Sequence, residues 1–174
     1  MEGFLNPKEV LKKLDLKADM IAADFGSGSG GWVLPLARIL TEGKIYAIDI
    51  LEEPLSALKG KAEISGIKNI EIIRSDVETE KGSKIKNNEV DWVLMTNLFF
   101  EAEDKKGILE EGKRVLKKGG KILVVDWKKE AVLGPKEEGV SSGEIKEIAK
   151  ELDLKLEKEL ETGDYHWGLV FGKP

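Results

Sequence analysis

Apolar positions along the chain follow two periods in turn. Met20–Phe25, Lys44–Ile50, Asn69–Ser75, Val90–Met95 and Lys121–Trp127 are short apolar runs bounded by turn residues, the pattern of buried strands. Between them the spacing becomes helical: Val33, Leu36, Ala37 and Leu40; Leu55, Leu58 and Ala62; Ile108, Leu109, Gly112, Val115 and Leu116; Ile145, Ile148, Ala149 and Leu152. Turn and cap signals agree with this division. Asn6-Pro7 predicts an N-cap and first helical residue leading into Val10, Leu11 and Leu14. Pro35, early in its helix, is expected to kink or delay the first turn. Gly66 closes the helix after Pro54, and Gly119-Gly120 close the one begun near Ile108. Ser141 with Glu144 is a capping-box pattern. Strands alternating with helices predict an α/β fold.

The end of the chain departs from this alternation. Leu154–Glu161 and Tyr165–Phe171 are strand-like runs joined only by Thr162-Gly163-Asp164. A parallel crossover needs a dozen or more residues, so this pair is antiparallel. A parallel sheet finished by an antiparallel hairpin is not the plain doubly wound nucleotide fold. No repeat, low-complexity stretch or linker interrupts the chain, which reads as one domain over residues 1–174.

Composition narrows the chemistry. A net charge of −5 argues against broad phosphate-backbone binding, and hence against a nucleic-acid partner. Zero cysteines remove disulfides, thiolate metal sites and cysteine nucleophiles, and a single histidine leaves little for a metal, so none is expected. No apolar run reaches the length of a membrane span, and the first residues lack a signal-peptide pattern. The chain reads as cytoplasmic.

The candidate chemistry sits where the first strand breaks, at Asp24-Phe25-Gly26-Ser27-Gly28-Ser29-Gly30-Gly31. A glycine turn between strand and helix lets backbone approach a ligand closely. Gly26, Gly28 and Gly31 satisfy a dinucleotide-binding spacing. Gly26, Gly28 and Gly30 after Asp24 satisfy the first motif of the class I S-adenosylmethionine (SAM) methyltransferases. Asp49, about 20 residues on and at the end of the second strand, suits ribose hydroxyls in either case.

The rest of the chain resembles the second family, in the small branch similar to quinone-biosynthesis methylases. The carriers are the glycine turn, Asp49, Ser75-Asp76-Val77, Asp91-Trp92-Val93-Leu94 and the run Val115 to Ile122. The resemblance implies a seven-stranded, mostly parallel sheet, order 3-2-1-4-5-7-6, with the last strand antiparallel and helices on both faces. It implies SAM as cofactor and a small-molecule methyl acceptor. It places Asp24 near the methionine amino group and the helix start after Gly30 near the methionine carboxylate. Gly26 and Gly28 give close backbone passage, and Asp49 accepts from the ribose. Asp76 takes the adenine amino group and the Val77 backbone its ring edge, while Ile50 and Leu51 pack on the ring face. Thr96 and Asn97 lie where the methyl group is delivered.

Methyl transfer from a sulfonium mainly needs alignment and dryness, so a general base is optional except for an ordinary hydroxyl. The candidates for acceptor-side chemistry are Asn97, Trp127 and His166; Asp126 and Lys128 follow the fifth strand beside Trp127. For His166 and Trp127, plain structural roles are the competing readings. Asn97 is followed by Leu98-Phe99 and not by Pro-Pro-aromatic, which argues against methylation of a nucleic-acid base or protein amide. Two other functions stay open: a SAM-binding protein without catalysis, and a nicotinamide-dependent oxidoreductase. Against the last, neither tyrosine begins a Tyr-x-x-x-Lys pair. The Gly107–Lys113 stretch imitates a phosphate loop but falls inside an amphipathic helix. Glu52-Glu53 and Glu110-Glu111 read as solvated helix faces. Glu130–Gly139 is the loop long enough to cover a site.

Overall fold

The computed structural model describes residues 4–135 and 139–174. Within them one seven-stranded sheet runs in the order β3-β2-β1-β4-β5-β7-β6. The strands are β1 (Ile21–Phe25), β2 (Lys44–Asp49), β3 (Ile70–Arg74), β4 (Val90–Thr96), β5 (Leu116–Trp127), β6 (Lys155–Leu160) and β7 (His166–Gly172). Pairings from β3 across to β5 are parallel, whereas β7 is antiparallel to both β5 and β6. The order, the strand count and the terminal hairpin agree with the expectations above.

Side-chain alternation along the strands produces two cores. Ala22, Ile45, Ala47, Leu94, Leu123 and Val125 face one way and pack with α1 (Pro7–Leu11), α2 (Val33–Ala37) and Leu58 of α3 (Glu52–Ile64). Ala23, Phe25, Val93, Met95, Ile122 and Val124 face the other way, against α4 (Lys105–Val115) and α5 (Ser142–Glu151). The predicted caps form: Asn6 Oδ1 accepts from the Lys8 N–H at 3.1 Å, and Ser141 Oγ from the Glu144 N–H at 3.2 Å. Among the described residues no helix is long and apolar enough to cross a membrane.

Three sequence expectations need correction. The helix after the glycine turn covers only Val33–Ala37, shorter than the helical spacing out to Leu40 predicts. Leu40 keeps its place in the core from a following turn. Leu116 does not extend α4: its backbone is extended, and it pairs with Val90 as the first residue of β5. Gly119, at φ +77°, lies in the register shift between that pair and Trp92–Lys121. Glu111 is not solvated. It is buried, accepts from the Ser83 N–H at 3.0 Å and from the Ser83 hydroxyl, and pairs with Arg114 at 2.7 Å. Gly107, within the phosphate-loop look-alike, donates its N–H to the α4 cap residue Asp104 at 2.8 Å.

Candidate functional site

Where β1 ends, the chain cannot continue as strand. Gly26, Gly28 and Gly30 all take positive φ, at +72°, +50° and +88°, a region costly for residues with a Cβ. The Gly26 and Ser27 N–H groups both donate to the Ile48 carbonyl at 2.9 Å, tying the turn to β2. The three glycines differ in what surrounds them. A Cβ on Gly28 would enter open space, one on Gly26 would lie 3.0 Å from Leu98 Cδ1, and one on Gly30 would collide with Leu58 Cδ1. Gly28 therefore keeps a surface clear, while Gly30 lets α3 pack on the turn.

That surface belongs to a cavity of about 590 Å³ beyond the C-terminal ends of β1 to β4, the usual place for a ligand in an open α/β sheet. Gly26, Gly28, Asp49, Ile50, Asp76, Val77, Thr96 and Asn97 line it, together with Leu51, Ser75 and Leu98. Ser27, Trp32, Pro54, Glu78 and Glu101 also contribute, and the sequence reading had not singled them out. Ser27 and Trp32 had a visible signal in their places within and just after the glycine turn. Glu78 and Glu101 reach the wall from loops whose path the sequence does not disclose.

The carboxylates are held in distinct ways. Asp49 Oδ2 accepts from the Gly28 N–H at 2.8 Å and Oδ1 from the Leu51 N–H at 2.9 Å. Each oxygen keeps a further lone pair for a ligand hydroxyl. Asp76 Oδ1 accepts from the Glu78 N–H at 2.9 Å, and Glu78 Oε2 from the Glu103 and Asp104 N–H groups at 3.0 and 2.7 Å. Ile50 and Leu51 are 56% and 60% exposed, apolar surface ready for a flat ring.

Behind the wall lies Asp24, almost fully buried, with neither carboxyl oxygen bonded to the protein. Burial pushes its carboxyl up to about 8, and the nearby Asp49 charge adds to the rise. Ser27 Oγ and Asn97 Oδ1 are likewise buried without partners. Buried polar groups are ordinarily satisfied, so three orphans at and behind one cavity point to a polar ligand.

Other candidates fall outside the lining. Asp24 and Gly30 are not on the cavity wall, and neither are Trp127 and His166. Trp127 and His166 face one another across β5 and β7 with ring centroids 4.0 Å apart. His166 is buried with both ring nitrogens unpartnered. Desolvation, with Lys128 nearby, drives it down to about 4, so its imidazole is neutral at pH 7. Of the loop over Glu130–Gly139, residues 136–138 lie outside the described residues, and Val132 and Leu133 are exposed. No group of three or more His, Cys, Asp or Glu able to hold a metal occurs among the described residues.

Comparison with known proteins gives this geometry a family. A methyltransferase-domain model matches residues 16–167. A SAM-dependent methyltransferase from Aquifex aeolicus has a similar structure, with a TM-score of 0.88 and 30% identity over 98% of this chain and 91% of that one. The [4+2]-cyclase SpnF also shares the fold, with a TM-score of 0.83, 14% identity and coverage of 97% and 80%. Its name shows that this fold alone does not dictate methyl transfer. Among curated proteins, the demethylmenaquinone methyltransferase of Bacillus mycoides (strain KBAB4) is 28% identical over 128 residues, 73% of this chain and 53% of the relative. The chain thus spans about half the length of the curated relatives it matches. With the model covering most of its length and a near full-length structural match at 30% identity, this chain belongs to the methyltransferase domain family and has the fold of its SAM-dependent members.

Proposed function

We propose that the chain binds SAM in the 590 Å³ cavity and transfers its methyl group to a small molecule. The observation that carries the choice of cofactor is charge. Asp49, Asp76, Glu78 and Glu101 line the cavity, and among the described residues no Lys, Arg or His does. SAM carries a sulfonium and an ammonium against one carboxylate, so it suits that wall. A nicotinamide dinucleotide would bring an anionic pyrophosphate beside four carboxylates, which like-charge repulsion opposes.

In this reading Asp49 accepts from the ribose hydroxyls and Asp76 from the adenine amino group, with Val77 on the ring edge and Ile50 on its face. Gly26 and Gly28 admit the ligand close to backbone, and Gly30 keeps the turn packed. Asp24 receives the methionine ammonium. Thr96 and Asn97 flank the reacting end. Bound SAM supplies a methyl carbon already activated by the sulfonium. What remains for the protein is to align the acceptor and exclude water, and alignment is worth several kcal/mol. The demethylmenaquinone methyltransferases among the relatives make a quinol the first acceptor to try, followed by phenols, amines and thiols.

Asp49→Ala removes two charge-assisted bonds, each worth about 1.5–3 kcal/mol. Affinity for SAM and for its product S-adenosylhomocysteine is expected to fall by about 100-fold or more in calorimetry. Tight NADH binding without SAM binding would overturn the reading.

A second reading, SAM binding without catalysis, draws on the cavity wall itself, where among the described residues there is no histidine, lysine or tyrosine and carboxylates are the general-base candidates. His166→Ala tests the imidazole outside that wall. A large loss of turnover with one limb of the pH profile gone makes His166 the base; unchanged turnover returns it to packing against Trp127. If SAM binds and no member of the acceptor panel is methylated, the non-catalytic reading stands.

A further inference from the structure

The turn after β4 presents a backbone problem that one residue solves. β4 pairs with β5 as far as Thr96–Val125, and the Asn97 N–H still donates to the Val125 carbonyl at 2.8 Å. Asn97 then takes φ +50° and the chain leaves the sheet. The next two N–H groups, of Leu98 and Phe99, have no strand partner, yet Phe99 is fully buried and Leu98 half-buried. Unpaired buried amides are costly.

Asp126 answers them. It is the penultimate residue of β5 and fully buried. Its Oδ2 accepts from the Leu98 N–H at 3.1 Å and the Phe99 N–H at 2.8 Å. Its Oδ1 accepts from the Trp127 N–H at 2.8 Å. Burial pushes this carboxyl up to about 6, and the backbone N–H bonds pull the other way. A buried carboxylate solvated by amides is an unusual choice for a strand end, because an apolar residue would avoid the desolvation cost.

The fastened segment is also a wall of the cavity. Asn97 and Leu98 both line it, and Leu98 Cδ1 lies 3.0 Å from where a Cβ of Gly26 would sit. A shift of the turn would therefore disturb both the placement of Leu98 beside the glycine turn and that of Asn97, with its unpartnered Oδ1, at the cavity.

We propose that Asp126 is a positioning residue for methyl transfer: through the Leu98 and Phe99 amides it holds Asn97 and Leu98 at the reacting end of the cavity. This rests on the SAM reading above. Asp126 is fully buried and not on the cavity wall, so its effect is expected at the end of the ligand that lies against Asn97 and Leu98.

The test uses the full chain with two probes, S-adenosylhomocysteine and adenosine, and native-state hydrogen exchange. In Asp126→Ala, exchange at the Leu98 and Phe99 amides is expected to accelerate at least tenfold, while β1 and β2 amides stay as in wild type. S-adenosylhomocysteine is expected to bind about tenfold more weakly and adenosine with unchanged affinity, because only the former reaches the reacting end. Asp126→Asn keeps one carbonyl acceptor and is expected to reverse most of both effects; Asp126→Leu, which fills the space and offers no acceptor, is expected to show them like the alanine variant and carries the test if that variant fails to fold. With any acceptor the panel finds, kcat falls more than KM for SAM changes. Unaltered exchange at Leu98 and Phe99, or equal weakening of both probes, overturns the role of Asp126. Failure of the wild-type protein to bind S-adenosylhomocysteine instead overturns the SAM reading, while the exchange result still reports on Asp126.

Discussion

Gly28→Val is expected to abolish SAM binding and leave the fold standing, whereas Gly30→Ala is expected to damage the fold first. Both positions have positive φ, so any side chain there costs about 1–2 kcal/mol in backbone strain. Beyond that they diverge. The side chain of a valine at position 28 projects into the open cavity, where the ligand must pass. A fall in affinity of 100-fold or more is the expected result. A Cβ at position 30 meets Leu58, whose side chain is fully buried between α3 and the turn. Overpacking of that kind typically costs a further 1–3 kcal/mol or so. Gly119→Val controls for strain alone, since Gly119 also has positive φ and open space around it but lies at the start of β5, outside the cavity lining. Urea unfolding and calorimetry with S-adenosylhomocysteine separate the three. If Gly28→Val loses no more affinity than Gly119→Val, the turn does not face the ligand.

The contrast between Gly28 and Gly30 shows where reading the sequence stops. The spacing that marks the turn treats its glycines alike, because a motif encodes backbone freedom and not what stands opposite each Cα. The strands were legible since each is a short apolar run between turn residues, and the final hairpin because Thr162–Asp164 is too short for any crossover. The boundary at Leu116 was not legible. Val115 and Leu116 continue the helical period, and only pairing with Val90 converts the second of them into strand. Glu111 was misread for a related reason. A glutamate on an amphipathic helix is ordinarily solvated, and its burial depends on Ser83, 28 residues away, and on Arg114. Asp126 is the same case at the site: its partners, Leu98 and Phe99, are amides of a distant turn. Polar residues whose role is to satisfy backbone elsewhere carry no periodic signature.

Asp24→Asn is expected to stabilise the ligand-free protein while weakening SAM. The wild-type carboxyl is buried without a partner, and its folded value of about 8 stands above the ordinary 3.8. A carboxyl raised in the folded state binds its proton more tightly there than in the unfolded chain. Its stabilising contribution is therefore complete below pH 3.8 or so and is lost progressively as pH rises from about 4 to about 8. Each unit corresponds to ~1.4 kcal/mol, so the loss by pH 8 is of order several kcal/mol. Asparagine fills the same space and cannot ionise. Thermal melts of the ligand-free protein are expected to show the variant gaining on wild type steadily between pH 5 and pH 8. SAM reverses the preference. Its ammonium favours the ionised carboxylate, so wild-type binding at pH 7 is expected to release close to one proton, measurable by calorimetry in buffers of different ionisation enthalpy. The variant should release none and bind at least tenfold more weakly. Parallel melting profiles, or equal proton release, would show that Asp24 is a silent neutral acid behind the wall and does not receive the cation.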